Sequence, residues 1–270
     1  MLAAERHSYI LDELNQRGAV RIADLAESLG VSPMTVRRDI EILAEQGVLN
    51  KVHGGATAKT DLPAPREQPF RTKSLRETEA KDAIAERAVQ LIPPGASLAL
   101  MGGSTVFALA KLLVRIPRLT IVTNSLPISD LFHRDGRTDH TVILAGGFRT
   151  PTDSFVGELT VSMFSRLNID LAFMGAHGFD LKGGFTSPNI LESETNRAVR
   201  EHAKKVVVLA DHTKWEDVAF CTFAKLSEVD VLVTDDGLQE EALSLLTAEI
   251  PQVLVAQKPA KTATAERATA

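Results

Sequence analysis

Two adjacent arginines, Arg37 and Arg38, follow a Ser-Pro pair in the stretch 31-VSPMTVRRDIEILAEQGVLNKVHGGA-56. A guanidinium group is planar and can donate two hydrogen bonds at once, either to O6 and N7 of guanine or to a phosphate. A helix that begins just before these arginines can enter the major groove of DNA and read base edges. The hydroxyls of Ser32 and Thr35 would then position that helix on phosphate groups. The chemistry predicted here is DNA recognition.

The elements that would carry these arginines follow from the spacing of apolar residues. Ser32 and Pro33 are typical of an N-cap and a first helical residue. Apolar residues at 36, 40 and 43 predict one buried helix face, and Gly47 fits the end of the helix. Two shorter amphipathic segments precede this helix, and the run 48–52 with the glycines after it predicts a hairpin. This order of elements indicates a winged helix-turn-helix.

A solvated helix face without DNA contact is the alternative interpretation of the two arginines. On such a face they would pair with Glu41 and Glu45 at helical spacing. Residues 1–59 hold seven Lys and Arg against eight Asp and Glu, a net charge of −1, so the region is no general binder of polyanions. Its basic groups are concentrated at the arginine pair and on the wing, where Lys51 and His53 are predicted to contact DNA.

The same stretch resembles the DNA-binding head of the DeoR family of bacterial sugar-metabolism repressors, and the resemblance continues through nearly the whole chain, stopping before the tail. The matching residues of the head are Arg6, Ile10, Ser32, Thr35, Val36, Arg37, Arg38, Asp39, Ile40 and the wing sequence His53-Gly54-Gly55-Ala56. The resemblance implies a transcriptional regulator that binds operator DNA.

Composition excludes several other classes of protein. The chain has 270 residues, 44% of them hydrophobic and 24% charged, with a net charge of −5, as in an ordinary soluble protein. No apolar run approaches the roughly 18 residues of a membrane span, and Glu5 and Arg6 stand where a signal peptide would be apolar. The single cysteine, Cys221, excludes an internal disulfide framework and a cysteine-based zinc site. We expect a cytoplasmic protein with no membrane partner, no cofactor and no metal.

Composition and periodicity divide the chain into four segments. Residues 1–57 are predicted to form the winged helix-turn-helix domain and residues 58–75 a linker. Residues 76–257 are predicted to form an α/β domain that binds an effector and oligomerises, and residues 258–270 a disordered tail. The α/β prediction depends on apolar runs that alternate with helical segments, a pattern typical of a mainly parallel sheet covered on both faces. The predicted strands are 96–101, 119–123, 140–145, 170–175, 206–210, 230–234 and 252–256.

Glycine and small polar residues follow almost every predicted strand. Because open parallel sheets bind ligands at their carboxyl edge, these loops are candidates for a binding site. The sequence Gly102-Gly103-Ser104-Thr105 suits a phosphate monoester, since it offers backbone N–H groups, two hydroxyls and the start of a helix. Lys214, after another strand, would add a positive charge. The alternative is that each loop is only a tight turn.

The family resemblance extends this site to other loops. It implies a second domain related in fold to ribose-5-phosphate isomerase and glucosamine-phosphate deaminase, with a phosphorylated sugar as effector. The positions that match the effector loops are Gly103, Ser104, Thr105, Thr123, Asn124, Ser125, Gly146, Gly147, Gly175, Gly178, Asp211, His212, Thr213 and Lys214. One position departs from the family, because Met101 stands where its members usually have Asp.

The function expected from the sequence is repression of a sugar-utilisation operon by a homodimer or homotetramer that responds to a phosphorylated sugar. Two alternatives remain open. One is a sugar-phosphate isomerase-like enzyme with an accessory DNA-binding head, whose general base would be Glu158, Glu192, Glu194 or Asp211. The other is a DNA-binding scaffold whose second domain only oligomerises. No residue is assigned a catalytic role.

Overall fold

The protein is described by a computed structural model that covers residues 3–17, 19–45, 47–52, 54–57 and 70–258. The chain divides into two compact units, residues 1–66 and 67–270.

The first unit is a three-helix cluster with a small antiparallel sheet. Its elements are α1 (Ala3–Arg17), β1 (Ala19–Arg21), α2 (Ile22–Leu29), α3 (Pro33–Glu45), β2 (Asn50–Val52) and β3 (Gly55–Thr57). The sheet has the strand order β1-β3-β2, so the predicted hairpin is present and gains a third strand that the sequence analysis did not predict. Ile10, Leu25, Val36 and Ile40 join the three helices in one buried core. The unit is a winged helix-turn-helix, as predicted.

Both ends of α3 are set by the residues that the sequence indicated. The Ser32 hydroxyl accepts a hydrogen bond from the Thr35 N–H (3.2 Å) and lies 2.9 Å from the Thr35 hydroxyl. At the other end, Gly47 adopts a left-handed conformation (φ 71°). The N–H groups of Gly47 and Val48 donate to the carbonyls of Ala44 and Leu43, which is the Schellman arrangement. The helix therefore presents a fixed N-terminal turn.

The second unit is an α/β fold. Its helices are α4 (Phe70–Ser74), α5 (Thr78–Ala88), α6 (Ser104–Leu113), α7 (Leu126–Asp135), α8 (Glu158–Phe164), α9 (Ile190–Glu201) and α10 (Glu240–Glu249). Its strands are β4 (Ser97–Leu100), β5 (Thr120–Thr123), β6 (Thr141–Leu144), β7 (Phe148–Arg149), β8 (Phe155–Val156), β9 (Ile169–Gly175), β10 (Gly178–Asp180), β11 (Gly184–Ser187), β12 (Ala203–Leu209), β13 (Cys221–Ala224), β14 (Val231–Asp235) and β15 (Gln252–Ala256).

A seven-stranded parallel sheet forms the centre of this unit, in the order β15-β14-β12-β9-β4-β5-β6. Each of the seven predicted strands is one of its members, which confirms the predicted fold class. Helices α5, α6 and α7 cover one face of the sheet, and α8, α9 and α10 cover the other. From β4 the chain moves outward to β5 and β6, and from β9 it moves outward in the opposite direction. The topological switch point therefore lies between β4 and β9.

Two further sheets were not predicted. Strands β10, β11 and β13 form an antiparallel sheet, and β7 pairs with β8 as a hairpin. They are built from short segments of two to four residues, which are too short for an alternating pattern to be visible. The aromatic rings of Phe179 and Phe185 stack at 5.3 Å within the antiparallel sheet.

The structure also differs from the predicted linker and tail. Residues 70–74, predicted as linker, form α4, and the ring of Phe70 packs edge-on against Phe107 of α6 at 5.1 Å. Lys258, predicted as tail, contacts Asp235 at 2.7 Å. Both contacts join residues more than twenty positions apart, so local composition could not indicate them. The remaining parts, 58–69 and 259–270, lie outside the described residues.

Candidate functional site

The exposed face of α3 carries the two arginines. Arg37 and Arg38 are both exposed, and beside them Met34 exposes 67% of its surface. Within the described ranges, neither guanidinium has an ion-pair or hydrogen-bond partner. Glu41, the partner suggested by helical spacing, instead contacts the Lys51 ammonium at 2.6 Å. The face therefore leaves ten N–H donors free for another molecule.

Lys51 is the predicted wing contact whose surroundings the structure describes. The contact of Lys51 with Glu41 joins the wing to α3, and the Lys51 ammonium holds the pKa of Glu41 below its ordinary value. Both side chains are about half exposed, so a phosphate can compete for the lysine. His53 lies outside the described residues.

A buried carboxylate supports α3 from its other face. Asp39 is 3% exposed and accepts hydrogen bonds from Arg6 Nε at 2.8 Å and Arg6 Nη2 at 3.1 Å. His7 Nε2 lies 2.9 Å from the same carboxylate. Burial raises the pKa of Asp39, but the hydrogen bonds from Arg6 and His7 outweigh burial and hold that pKa below its ordinary value. These contacts tie α1 to α3, a role that the sequence analysis did not assign to Arg6 and Asp39.

In the second unit, the switch point brings the loops after β4 and β9 together. A Cβ atom built on Gly103 would lie 3.8 Å from the Cα of Gly175, so the two glycines face each other across the crevice without crowding. Helix α6 begins at Ser104, and no side chain caps its N-terminus. Its first N–H groups are therefore available to an anion, and the helix dipole favours negative charge there.

The hydroxyls at the start of α6 add to this anion-binding geometry. In the described part of the chain, neither the Ser104 nor the Thr105 hydroxyl has a hydrogen-bond partner. Ser154 packs so closely on Gly102 that an added Cβ there would lie 1.9 Å from its Oγ atom, which explains the glycine. The Ser154 hydroxyl is itself buried, and no described residue forms a hydrogen bond with it. The loop therefore has polar groups that a ligand could contact.

Thr123, Asn124 and Ser125 support this loop instead of facing the crevice. The Thr123 hydroxyl donates to the carbonyl of Leu100 at 2.6 Å, and Ser125 caps α7. The Asn124 side chain accepts from the Gly102 N–H at 2.9 Å and donates to the carbonyl of Phe155 at 2.9 Å. All three are buried, and their contacts hold the loops after β4 and β5 together.

The remaining predicted glycines lie away from the switch point. Gly146 and Gly147 follow the edge strand β6, and the Gly146 carbonyl accepts a hydrogen bond from Thr160. Gly178 lies in β10, where a Cβ would meet the carbonyl of Asp217 at 2.0 Å. Close backbone packing explains Gly147 and Gly178, whereas nothing lies within 4 Å of a Cβ built on Gly146. Met101, at the departure from the family pattern, is buried in the apolar core on the α9 side of the sheet.

Asp211 and Lys214 follow β12, which is the neighbour of β9. The Asp211 carboxylate accepts hydrogen bonds from the N–H and hydroxyl of Thr213, and so caps the short helix 212–214. Adjacent strands are about 4.8 Å apart, so the loops after β4, β9 and β12 span roughly 10 Å. The structure thus brings Gly102–Thr105, Gly175, Asp211 and Lys214 to one stretch of the carboxyl edge.

Lys81 of α5 lies at this edge and was not identified from the sequence. It is 6% exposed, and its ammonium donates to the carbonyl of Lys73 at 2.8 Å and to that of Arg76. Burial lowers the pKa of Lys81 to about 8, the nearby Asp211 carboxylate opposes this shift, and Lys214 adds to it. A buried ammonium beside a second cation is a feature typical of anion sites.

Glu192 is one of the four carboxylates that the sequence analysis named as a candidate general base. In the structure it is half-buried, and it accepts hydrogen bonds from Ser187 at 2.7 Å and Thr152 at 3.2 Å. Thr152 belongs to the same loop as Ser154, so this carboxylate lies one loop away from Gly102. Glu158 and Glu194 are exposed.

The two histidines near the edge each lie beside a carboxylate. His212 Nδ1 lies 2.8 Å from the buried Asp235, which also contacts Lys258, and His177 lies 3.6 Å from Asp217. Among the residues that the structure describes, no group of three or more His, Cys, Asp or Glu is arranged to hold a metal ion. A search of the same residues finds no helix with the length and apolarity to span a membrane.

Each of the two units matches a known protein family. Residues 6–61 match the family model for a DeoR-like helix-turn-helix domain, and residues 76–236 match the model for the DeoR C-terminal sensor domain. The glycerol-3-phosphate regulon repressor of Escherichia coli is 32% identical over 249 residues, which cover 92% of this chain and 96% of the relative. The lactose phosphotransferase system repressor of Staphylococcus epidermidis is 36% identical over 233 residues, covering 84% and 91%.

Solved structures show a more distant similarity. A D-ribose-5-phosphate isomerase in complex with phospho-erythronic acid superposes with a TM-score of 0.39 at 20% identity, covering 52% of this chain and 55% of that one. The two curated relatives, by contrast, match over most of their length and are repressors, which favours a regulator over an isomerase with an accessory head. With both of its units matched, this chain belongs to the DeoR family of transcriptional regulators.

Proposed function

We propose that this regulator binds operator DNA through the N-terminal turn of α3 and that a phosphorylated sugar or polyol, bound at the switch point of the second unit, modulates this binding. In the proposed complex Arg37 and Arg38 contact the duplex, while Ser32 and Thr35 keep the helix on the phosphate backbone. The exposure of both guanidinium groups supports the first part of the proposal.

The observation that carries the effector site is the uncapped start of α6 at the switch point. A phosphate there would accept hydrogen bonds from the first N–H groups of the helix and from the hydroxyls of Ser104 and Thr105. Lys214 would add a charge-assisted hydrogen bond, which is stronger than a neutral one. An inorganic anion would fit the same geometry, so the proposal that the effector also contains a sugar or polyol needs separate support.

The hydroxyl contacts of Glu192 support a polyol as the other part of the effector. An ionised carboxylate accepts hydrogen bonds only, and the donors to Glu192 include the hydroxyls of Thr152 and Ser187. Sugar hydroxyls are donors of the same kind, so they can bind this carboxylate and keep it paired. Among the relatives, the Escherichia coli repressor is named for glycerol 3-phosphate, so small phosphorylated polyols belong in the first set of ligands to test.

A ligand panel and a matched pair of variants test this site. We expect one phosphorylated compound, among glycerol 3-phosphate and hexose 6-phosphates, to stabilise the protein by about 2.7 kcal/mol at a hundred times its Kd. The unphosphorylated parent compound should have little effect. Combining Ser104→Ala with Thr105→Val should weaken the stabilisation, while Ser165→Ala, which removes an exposed hydroxyl of the second unit, should not. Equal stabilisation of both variants would contradict the site.

We also propose that the protein acts in the cytoplasm as a homodimer or homotetramer assembled mainly through residues 76–257. A helix-turn-helix that reads one half-site gains from a two-fold partner. The edge strand β6 exposes Ile143 and Leu144, and nearby segments expose Phe148 (72%) and Leu159 (75%), a set of apolar side chains that a second copy would cover. Sedimentation of the full chain as a monomer at micromolar concentration would contradict this assembly.

A further inference from the structure

Lys81 occupies a position that is costly for a charged group. It lies on the buried face of α5 with Ile84, Ala85 and Ala88, and no carboxylate of the described residues forms an ion pair with it. Two of its three ammonium donors are used by the carbonyls of Lys73 and Arg76. Burying an ammonium among neutral partners disfavours its charged form, and an apolar residue would fill the same place without that cost.

The carbonyls that Lys81 holds belong to the segment that begins the second unit. Lys73 is in the last turn of α4, and Arg76 is in the turn that joins α4 to α5, residues 75–77 (the α4–α5 turn). Helix α4 is the first described element after the DNA-binding unit. Its position relative to α5 therefore depends in part on one ammonium group.

Two features indicate that the α4–α5 turn is held under constraint. Glu77 adopts a left-handed conformation (φ 47°, ψ 42°), which is unfavourable for a residue with a side chain. The Nη2 atom of Arg76 is buried and has no hydrogen-bond partner among the described residues. A strained residue and an unpaired buried donor persist only where surrounding contacts keep them in place. Among the described contacts, the Lys81 ammonium is the one that fixes the carbonyl of Arg76.

Lys81 lies at the same edge of the sheet as the proposed effector site. Helices α5 and α6 pack side by side on the same face of the sheet. Helix α5 precedes strand β4 in the chain, and α6 follows it. Both helices therefore begin at the carboxyl edge, where Lys81 is one turn inside α5. Asp211 and Lys214 lie close enough to influence its charge. An anion at the start of α6 would meet the same cluster.

We propose that Lys81 is a ligand of the effector's anionic group and that this contact couples the effector site to α4. Without effector, the ammonium holds the carbonyls of Lys73 and Arg76. With effector, it donates to an anionic oxygen, and the α4–α5 turn is released. The exchange is favourable because a hydrogen bond from an ammonium to a phosphate is stronger than one to a neutral carbonyl. The inference rests on the proposed function of the second unit as a phosphate-ester sensor.

Hydrogen exchange of the full chain tests the release of the turn. The probes are inorganic phosphate and glycerol 3-phosphate, with a hexose 6-phosphate as a third compound. In the wild type, the probe that stabilises the protein should increase amide exchange, and tryptic cleavage after Lys73 and Arg76, across residues 70–77. In Lys81→Met the segment should exchange rapidly without any probe.

Operator binding by the same variants tests the coupling. We expect the probe to change the operator affinity of the wild type by about 5–150-fold, and to change that of Lys81→Met by less than twofold. Lys81→Arg, which keeps a charge and donors, should retain part of the response. Lys204→Met is the matched control, because Lys204 is exposed and pairs with Asp170 near the amino ends of the strands, so its response should equal that of the wild type.

The outcomes separate the two proposals. If a probe stabilises the wild type but leaves exchange across residues 70–77 unchanged, Lys81 is no coupling residue, and the effector site stands. The same conclusion follows if Lys81→Met and the wild type respond equally. If no probe binds the wild type, the proposed function of the second unit fails, and this inference fails with it. Should Lys81→Met not fold, Lys81→Arg and the wild-type exchange pattern still decide.

Discussion

On α3 of the DNA-binding unit the guanidinium groups of Arg37 and Arg38 lie in solvent, whereas on α5 of the sensor unit the ammonium of Lys81 is buried. The exposed pair costs little to maintain and meets a polyanion without rearrangement. The buried lysine must be held by carbonyl groups, so any anion that binds it displaces a contact within the protein. A basic residue on the surface can recognise a partner, and a buried one can also report that the partner has bound.

Support for the exposed arginines comes from the opposite face of their helix, through Asp39. Replacing Asp39 with Ala should have the largest effect, because it leaves the partly buried Arg6 and His7 without their carboxylate partner. We expect the DNA-binding unit to unfold at a lower temperature and operator binding to be lost. Glu41→Ala is the matched control on the same helix, since Glu41 is about half exposed and should have little effect on unfolding. Calorimetric scanning of the full chain distinguishes these results.

Removing the exposed arginines should affect DNA binding without affecting the fold. Arg37→Ala and Arg38→Ala should each cost about 1–3 kcal/mol of operator affinity where the arginine reads a base, and should relax sequence preference. Arg87→Ala, a partly exposed arginine of α5, is the control. Operator affinities measured at one fixed salt concentration check this prediction. Unchanged affinity in both variants would show that α3 does not carry the recognition residues.

The buried lysine should make the effector response depend on pH. Burial lowers the pKa of Lys81 to about 8, so its ammonium is present below that pH and is lost as pH rises through it. Asp211, Lys214, Glu77 and Arg76 are the charged neighbours that set this value. We expect the affinity for a phosphate ester to fall about fivefold from pH 8 to pH 9, because the charged fraction of a group with this pKa falls from about one half to about one tenth.

The pH prediction has an internal control. In Lys81→Arg the side chain stays charged throughout this range, so the fall between pH 8 and pH 9 should disappear. Isothermal titration of the full chain at three or four pH values measures both proteins. A wild-type affinity that is constant between pH 7 and pH 9 would mean that the Lys81 ammonium does not contact the effector.

The smallest expected effect belongs to Lys51, which is already paired with Glu41. If Lys51 contacts only phosphate, Lys51→Ala should weaken binding to all DNA sequences alike, by less than about 1 kcal/mol. The slope of log affinity against log salt concentration should decrease by about 1. A change in sequence preference would instead indicate that the wing reads bases.

The sequence predicted the elements better than it predicted the contacts of the site. Seven apolar strands and the α3 helix with its cap are visible as local patterns, and so is the glycine loop before α6. Local patterns do not show that Glu41 pairs with Lys51 on the wing or that Ser154 packs on Gly102, since these contacts join distant positions.

Lys81 is a residue of the candidate site that the sequence analysis did not identify. It is separated from Ile84, Ala85 and Ala88 by helical spacing, so the sequence already placed a lysine in the buried stripe of α5. Periodicity alone cannot tell such a lysine from one whose stem crosses an apolar surface to reach solvent. One of its two carbonyl partners, Lys73, is in α4, within the segment that composition assigned to a linker.

The most direct test of the account is a linkage measurement on the wild-type full chain. Operator affinity is measured with and without the phosphorylated compound that stabilises the protein most, and the affinity for that compound is measured with and without operator DNA. If the carboxyl edge of the sensor unit is coupled to α3, both affinities change by the same factor, about 5–150-fold. A compound that binds at the edge while operator affinity stays the same would contradict the account.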